Sequence, residues 1–208
     1  MGAHDRIGVA YVAFGARAAR EAEQSIASLR MFHDWPIATI SDAPIAGCEH
    51  VPYERAGWGA RRAKVNLNNL VPASWDAFLY LDADTRVCGD LSAGWGILAD
   101  GWDIAITASQ YQERDWLWHI PDVERAEMEA RGMRLTGLVY QAGMWFAARN
   151  ERTDALFAAW AAEWEHYQRE DQGALLRALR RAPVRVWLLG RDYNGGALVE
   201  HLFGRARQ

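Results

Sequence analysis

The stretch that decides the fold is Phe78-Leu79-Tyr80-Leu81-Asp82-Ala83-Asp84-Thr85-Arg86-Val87. Its first four residues are mostly apolar, which predicts a buried strand, and the run stops at two carboxylates one residue apart. Because burying an ionised carboxylate costs several kcal/mol unless it is paired or bound to metal, we expect both aspartates at the exposed carboxyl end of the strand. Ligands bind at that edge of open α/β sheets, and strict alternation would point both side chains towards one cation. From these residues alone, the alternative is that Asp82 caps a turn and Asp84 is solvated.

The composition is that of an ordinary globular protein. The 208 residues suit a single domain over 1–208; half of them are hydrophobic and 24% are charged. A net charge of −4 excludes a global attraction to nucleic acid or anionic membranes. There is no signal-peptide pattern at the amino terminus and no apolar run long enough to span a membrane, so we expect a soluble, cytoplasmic protein without stable membrane insertion. Eleven tryptophans are unusual, and stacking platforms for sugars or bases are a second use for them beside the core.

The first forty residues predict a parallel sheet. An apolar, β-branched run at 7–14 indicates a strand, 17–31 has the apolar spacing of a helix, and 36–40 indicates a second strand. This is a βαβ unit, so the predicted fold class is α/β, with a mainly parallel central sheet and helices on both faces. Residues Ala13, Phe14 and Gly15 lie at the carboxyl end of the first strand and are a candidate nucleotide seat, although they contain too little glycine for a phosphate loop.

The remaining chain alternates between the two kinds of element. Helices are predicted at 58–70, 90–99, 123–130, after Asn150 and from Asp171, and strands at 103–107 and 184–189. Two short strands, 138–140 and 143–148, are expected to bend around Gln141. On the helix at 58–70, Arg61 and Lys64 are three residues apart; they would meet a phosphate or simply form a solvated basic face.

An ordered set of motifs resembles the GT-A glycosyltransferases, and more narrowly the retaining family of glycogenin and bacterial lipopolysaccharide galactosyltransferases. The DxD strand is followed by Gln141-Ala142-Gly143, Asp171-Gln172, Tyr193-Asn194 and His201-x-x-Gly204-x-x-Arg207, in the family's order. Three positions depart from the family pattern. Gln141 replaces the usual Asn, Gly190 stands where Pro is expected, and Arg207 replaces Lys.

The resemblance implies a metal-dependent retaining glycosyltransferase that uses a nucleoside-diphosphate sugar, and the donor we expect is a UDP-sugar. Asp82, Asp84 and His201 would bind Mn²⁺ (or Mg²⁺), which takes hard oxygen ligands and, for manganese, imidazole. The expected donor-binding residues are Ala13, Phe14, Gly15, Arg61, Lys64, Asp82, Ala83, Asp84, Gln141, Gly143, Gly204 and Arg207.

For the sugar step, the resemblance implies Asp171 and Gln172 as catalytic residues. Asp171 would be the nucleophile of a double displacement, whereas Gln172 would stabilise positive charge in a same-face mechanism, which we prefer. Asp171 would alternatively only cap a helix. Trp116, Trp118 and Tyr193 are candidate acceptor-binding residues.

The acceptor is not determined by the sequence: a glycan, lipid, protein, small molecule or hydroxylated base of phage-type DNA all remain. Arg125, Arg131 and Arg134 leave room for a basic groove that would suit DNA. A non-catalytic sugar-nucleotide-binding module and a nucleotidyltransferase are the alternatives from other functional classes.

Overall fold

The computed structural model describes residues 6–54, 59–109, 120–133 and 139–202. Nine strands lie in these ranges: β1 (Ile7–Ala13), β2 (Ile37–Ser41), β3 (Glu49–Pro52), β4 (Ala77–Leu81), β5 (Thr85–Val87), β6 (Ile104–Ala108), β7 (Tyr140–Ala148), β8 (Val186–Leu189) and β9 (Val199–His201). The helices are α1 (Gly15–Arg30), α2 (Gly59–Val65), α3 (Leu67–Leu70), α4 (Ala93–Ala99), α5 (Asp122–Ala130), α6 (Glu151–Tyr167) and α7 (Asp171–Arg181), with a 3-10 turn at Arg191–Tyr193. None of the helices in these ranges is long and apolar enough to cross a membrane.

The main sheet has seven strands in the order β3-β2-β1-β4-β7-β6-β8. Four neighbouring pairs are parallel, and β7 alone runs antiparallel to both its neighbours, β4 and β6. The predicted α/β class with a mainly parallel sheet is therefore confirmed.

Side chains of the central strands alternate between two cores, one on each face of the sheet. On β4, Phe78 and Tyr80 belong to the cluster that contains Trp160 of α6, whereas Leu79 and Leu81 belong to the cluster that contains Leu29 of α1. Helices therefore cover both faces of the sheet. A continuously apolar strand needs such cover on both sides, because its side chains alternate between the two faces.

Helix α6 begins as predicted from Asn150. The Asn150 side chain accepts hydrogen bonds from the backbone N–H groups of Arg152 and Thr153, and the Thr153 hydroxyl accepts one from the Asn150 N–H, which completes a capping box. Phe157, Trp160 and Trp164 are buried core residues, whereas Tyr167 at the end of the helix is only part-buried and donates to Glu127.

Two element predictions were wrong in detail. The helix predicted at 58–70 is divided into α2 and α3 at Asn66, whose side chain donates to the Arg62 carbonyl oxygen and so competes with the backbone ladder. The predicted strand pair at 138–148 is a single strand, β7, whose pairing with β6 shifts register between Ile106 and Thr107. Gly143 suggested a break, but a glycine inside a strand also marks a close approach of other atoms.

Strands β5 and β9 form a separate two-stranded antiparallel sheet that the sequence did not reveal. Each has only three residues, which is too short for a visible hydrophobic alternation. Their register places Thr85, which follows the second aspartate of the DxD stretch, directly opposite His201. This small sheet joins parts of the chain that lie more than half its length apart.

Candidate active site

Asp82, Asp84 and His201 form the core of the site. Asp82 to Asp84 make the turn between β4 and β5, and His201 ends β9. One potential ligand atom from each residue lies within 4.8 Å of the other two. The His201 Nε2 atom is 3.2 Å from an Asp84 carboxylate oxygen and 3.9 Å from an Asp82 carboxylate oxygen. Two carboxylates and an imidazole at these separations can share one divalent cation.

Gly143 provides the space in which the three side chains meet. A Cβ atom at this position would lie 2.3 Å from His201 Cε1 and 2.9 Å from an Asp82 carboxylate oxygen. The Gly143 carbonyl oxygen also accepts a hydrogen bond of 2.8 Å from the Asp82 N–H. The glycine is therefore required by the close packing of the carboxylate and the imidazole over the backbone of β7.

A row of buried hydroxyl groups holds the turn of the DxD stretch from beneath. The Thr85 hydroxyl donates to the Asp82 carbonyl oxygen at 2.8 Å and lies 3.0 Å from the Ser25 hydroxyl, which in turn is 3.1 Å from the Tyr11 hydroxyl. Thr85, Ser25 and Tyr11 have no exposed surface. The position of the aspartates is thus tied to α1 and β1, because buried hydroxyl groups need these partners.

Lys64 lies between two carboxylates rather than on a solvated face. Its ammonium group is 2.9 Å from an Asp171 oxygen, 3.0 Å from an Asp82 oxygen and 5.0 Å from the centre of the Tyr80 ring. Burial opposes the charge on Lys64, but Asp171 and Asp82 outweigh it, so the pKa of Lys64 is raised. The pKa of Asp171 is lowered, since Lys64 overcomes the cost of its burial.

Tyr80 completes this group. Its hydroxyl donates to the Asp82 carboxylate, and its pKa is raised well above the ordinary value by burial and by Asp82.

Asp171 is the first residue of α7 and does not cap it: the preceding Glu170 is the N-cap and makes no side-chain cap. The helix-cap alternative for Asp171 is therefore replaced by an ion pair with Lys64.

Gln172 and Gln141 lie side by side beyond this ion pair. The Gln172 side-chain amide donates to the Gln141 side-chain oxygen. The Gln172 side-chain oxygen is buried and has no hydrogen-bond partner among the described residues. A buried acceptor without a partner is costly, so the arrangement is suited to a ligand that brings a donor such as a sugar hydroxyl.

The metal-binding candidates, the Lys64 ion pair and the two glutamines border one cavity of about 550 Å³. The predicted site residues that line it are Arg61, Lys64, Asp82, Ala83, Asp84, Gln141, Gly143, Asp171, Gln172 and His201. Arg61 is paired with Glu170 at 3.0 Å on the cavity wall. The volume falls in the range of small-molecule sites.

The structure places other predicted residues differently. At the end of β1, Val12 lines the cavity, whereas Phe14 is buried against Tyr53 and the Gly15 N–H donates to the Asp42 carboxylate. Ala13 is buried in the core of the opposite face. The predicted nucleotide seat at 13–15 is thus not part of the cavity wall. The Gly15 N–H, which would have met a phosphate, is already bound to the Asp42 carboxylate.

The candidate acceptor residue Tyr193 packs edge-on against Phe146, with ring centres 6.5 Å apart. Its neighbour Asn194, which we did not predict as a site residue, accepts a hydrogen bond from His201. The Tyr193-Asn194 pair resembles a family motif, and that resemblance could have identified Asn194 as a site residue. Four other predicted residues lie outside the described residues: Trp116, Trp118, Gly204 and Arg207.

No protein-family model and no curated protein matches this sequence. Solved structures do match. The chain superposes on the apo structure of the bifunctional glycosyltransferase WbbM with a TM-score of 0.63 and 13% identity, over 90% of this chain and 39% of that one. It matches the galactosyltransferase LgtC, solved in complex with donor and acceptor sugar analogs, with a TM-score of 0.58 and 15% identity over 88% of this chain and 73% of LgtC.

A third match is a glycosyltransferase involved in glycosylation of the major capsid of PBCV-1, with a TM-score of 0.59 and 12% identity over 96% of this chain and 93% of that one. At such identities the likeness is one of fold. This fold is the one that the DxD stretch and its accompanying motifs predicted, so the described part of the chain has the GT-A glycosyltransferase fold.

Proposed function

We propose that this protein is a glycosyltransferase that uses a divalent metal to transfer a sugar, with retention, from a UDP-sugar to a hydroxyl acceptor. The observation that carries the proposal is the shared cavity. The Asp82, Asp84 and His201 group lies in the same cavity as Asp171 and Gln172. A diphosphate held at the first group would direct its sugar towards the second.

The residues present fit a divalent cation. Asp82 and Asp171 both contact the ammonium group of Lys64, and Asp84 lies beside Asp82 and His201. These three carboxylates outnumber the one ammonium group paired with them, and a divalent ion would balance the excess negative charge. Carboxylate oxygens suit both Mn²⁺ and Mg²⁺, and the imidazole of His201 favours Mn²⁺. A cation bound there would offset the charge that develops on the departing nucleoside diphosphate.

Lys64 supports the same step from the protein side. Its ammonium group is buried and held by Asp82, so it stays protonated beside the position where a diphosphate would bind. A fixed cation in a site shielded from water stabilises developing negative charge more effectively than a solvated one.

At the sugar end, the contacts favour the same-face mechanism. One oxygen of Asp171 is engaged by Lys64, and the lowered pKa makes this carboxylate a weaker nucleophile. The buried oxygen of Gln172 has, by contrast, no partner among the described residues, and its side chain borders the cavity, so a rotation of the amide would present it to a sugar hydroxyl or to positive charge on the ring. We therefore assign Gln172 to stabilising the transition state and Asp171 to holding Lys64 in place.

The acceptor is a hydroxyl compound from the classes that the sequence leaves open: a glycan, lipid, small molecule, protein or modified DNA. One of the arginines considered for a DNA groove, Arg131, is paired with Glu127 and Glu163. This engagement makes a DNA acceptor the least supported of the five.

A thermal-shift panel of nucleotides and UDP-sugars, each with and without Mn²⁺, tests the proposal. We expect UDP to raise the melting temperature by about 5–10 °C at saturating concentration, and only when Mn²⁺ is present. The shift should vanish in Asp84→Ala and persist in Asp100→Ala, which removes an exposed carboxylate at the end of α4. Binding of UDP without metal would contradict the assigned metal site.

Donor hydrolysis separates an enzyme from a binding module. We expect wild-type protein with Mn²⁺ to release free sugar from its UDP-sugar slowly, since water can replace the missing acceptor. Tight, metal-dependent UDP-sugar binding with no hydrolysis and no transfer to any acceptor class would show a binding module instead.

A further inference from the structure

We propose that Asn194 is a positioning residue that fixes the ring of His201 so that its Nε2 atom faces Asp82 and Asp84. The inference rests on the proposed metal site and adds a residue to it. Asn194 is 1% exposed and His201 is 4% exposed, so neither side chain can exchange its partner for water. Their contact, from His201 Nδ1 to Asn194 Oδ1, is 2.7 Å.

The orientation of the Asn194 amide determines which nitrogen of His201 carries the proton. In the structure the Asn194 amide oxygen faces His201, and the Nδ2 atom at the other end of the amide donates to the Thr107 hydroxyl at 3.3 Å. An amide oxygen can only accept, and His201 must therefore donate from Nδ1. In the neutral ring this leaves the lone pair on Nε2, which is the atom beside the two carboxylates.

Asn194 is itself held by rigid parts of the fold. Thr107 belongs to β6, inside the main sheet, and is 2% exposed. The Asn194 N–H donates to the Arg191 carbonyl oxygen at 3.0 Å, which closes the 3-10 turn before it, and the Gly195 N–H donates to the Val199 carbonyl oxygen at 2.7 Å. The contact thus connects the main sheet to the His201 ring, independently of the β5–β9 pairing.

Such an arrangement has a known physical consequence for metal sites. A histidine ligand whose second nitrogen donates to a fixed acceptor keeps one tautomer and one ring orientation, and loss of the acceptor weakens metal binding by about 10–100-fold. If Asn194 were a buried asparagine with no such role, replacing it would lower the thermal stability of the protein and leave its metal affinity unchanged. The two roles can be separated by measuring metal affinity and thermal stability on the same variants.

The test uses Asn194→Leu and Asn194→Asp. Leucine has a similar size but offers no acceptor, whereas aspartate keeps an acceptor for the Nδ1 proton. By calorimetric titration of Mn²⁺ into the protein without donor, we expect Asn194→Leu to bind about 10–100-fold more weakly than wild type. Asn194→Asp should restore the affinity to within a few-fold of wild type.

Asn68→Leu is the matched control. Asn68 is also buried, at 3% exposure, and its side chain donates to Asp154 at 2.6 Å, away from the cavity. We expect this variant to lose thermal stability and to keep the Mn²⁺ affinity of wild type. Equal affinities in wild type and Asn194→Leu would overturn the inference and leave the proposed metal site intact. Failure of wild type itself to bind Mn²⁺ would overturn both.

A spectroscopic measurement keeps the inference falsifiable if Asn194→Leu does not fold. Long-range ¹H–¹⁵N spectra of the metal-free wild type report which ring nitrogens of His201 carry a proton, and we expect Nδ1 to carry one. Thr107→Val, which removes the hydroxyl that the Asn194 Nδ2 atom donates to, should also weaken Mn²⁺ binding. A His201 ring without a proton on Nδ1 would refute the assigned role of Asn194.

Discussion

Replacing Gly143 by alanine tests whether the site needs the close packing seen at β7. The added Cβ would lie 2.3 Å from His201 Cε1, whereas ordinary van der Waals contact begins at 3.4 Å. The His201 ring would therefore have to retreat by about 1 Å. Asn194 and the β5–β9 pairing both oppose that movement, and the Asp82 carboxylate, 2.9 Å from the same Cβ, leaves no room on the other side.

The size of the effect follows from overpacking. Inserting a methyl group into a filled site costs about 1–3 kcal/mol. Metal sites tolerate ligand displacements of only about 0.2 Å, so we expect most of the cost to appear in metal binding. Each 1.4 kcal/mol is tenfold in affinity, which gives Mn²⁺ binding about 10–100-fold weaker than in wild type.

Calorimetric titration of Mn²⁺ measures this loss, and thermal unfolding without metal measures the remaining strain. The control is Gly96→Ala on α4, where an added Cβ would meet nothing within 4 Å, so both affinity and stability should be at least those of wild type. Unchanged Mn²⁺ affinity in Gly143→Ala would refute the reasoning, because the imidazole and carboxylate could not then occupy the positions described.

Two further predictions concern single carboxylates. Asp171→Asn should reduce sugar transfer without abolishing it, and the product should keep the anomeric configuration of the donor by NMR; complete loss of activity, with azide restoring an inverted product, would instead identify Asp171 as a nucleophile. Asp103 is buried, and although burial raises its pKa, hydrogen bonds from Arg152 and the Arg185 N–H lower it below 3.8. Because the folded-state pKa of Asp103 is lowered, its carboxylate stabilises the protein above pH 3.8, and this stabilisation is lost as the pH falls through the folded-state pKa. Asp103→Asn should therefore have a lower unfolding free energy than wild type at pH 7, and the difference should shrink as the pH falls below 3.8. The exposed Asp34→Asn should show no such difference.

The class of fold could be predicted because its signals are local. The apolar run before Asp82 and the βαβ unit at the amino terminus depend only on neighbouring residues, and both were confirmed. The Asn150 cap was confirmed for the same reason. Residue type and spacing are sufficient to predict a helix or strand when that element buries one face or satisfies the hydrogen bonds of its own backbone.

The detailed site could not be predicted because its contacts join distant residues. Nothing in the sequence around Lys64 indicates that its ammonium group lies between Asp82 and Asp171, so a phosphate partner and a solvated face both remained open. Gly143 suggested a bend, but its real reason is a histidine from the other end of the described chain. The Asn194 contact with His201 spans only seven residues, but the other end of the Asn194 amide bonds to Thr107, which lies 87 residues away in the chain.

The β5–β9 pairing has a consequence for the order in which the protein assembles. The pairing closes a loop of more than half the chain. The chain loses conformational entropy when this loop closes, before the contacts between the two strands can compensate for the loss. The seven-stranded sheet and the turn that carries Asp82 can therefore form before β9 pairs with β5 and brings His201 to the site. The complete cation site then forms only late in folding. A cation that binds at that point stabilises contacts missing from the transition state, and it should act mainly by slowing the unfolding rate of the finished protein.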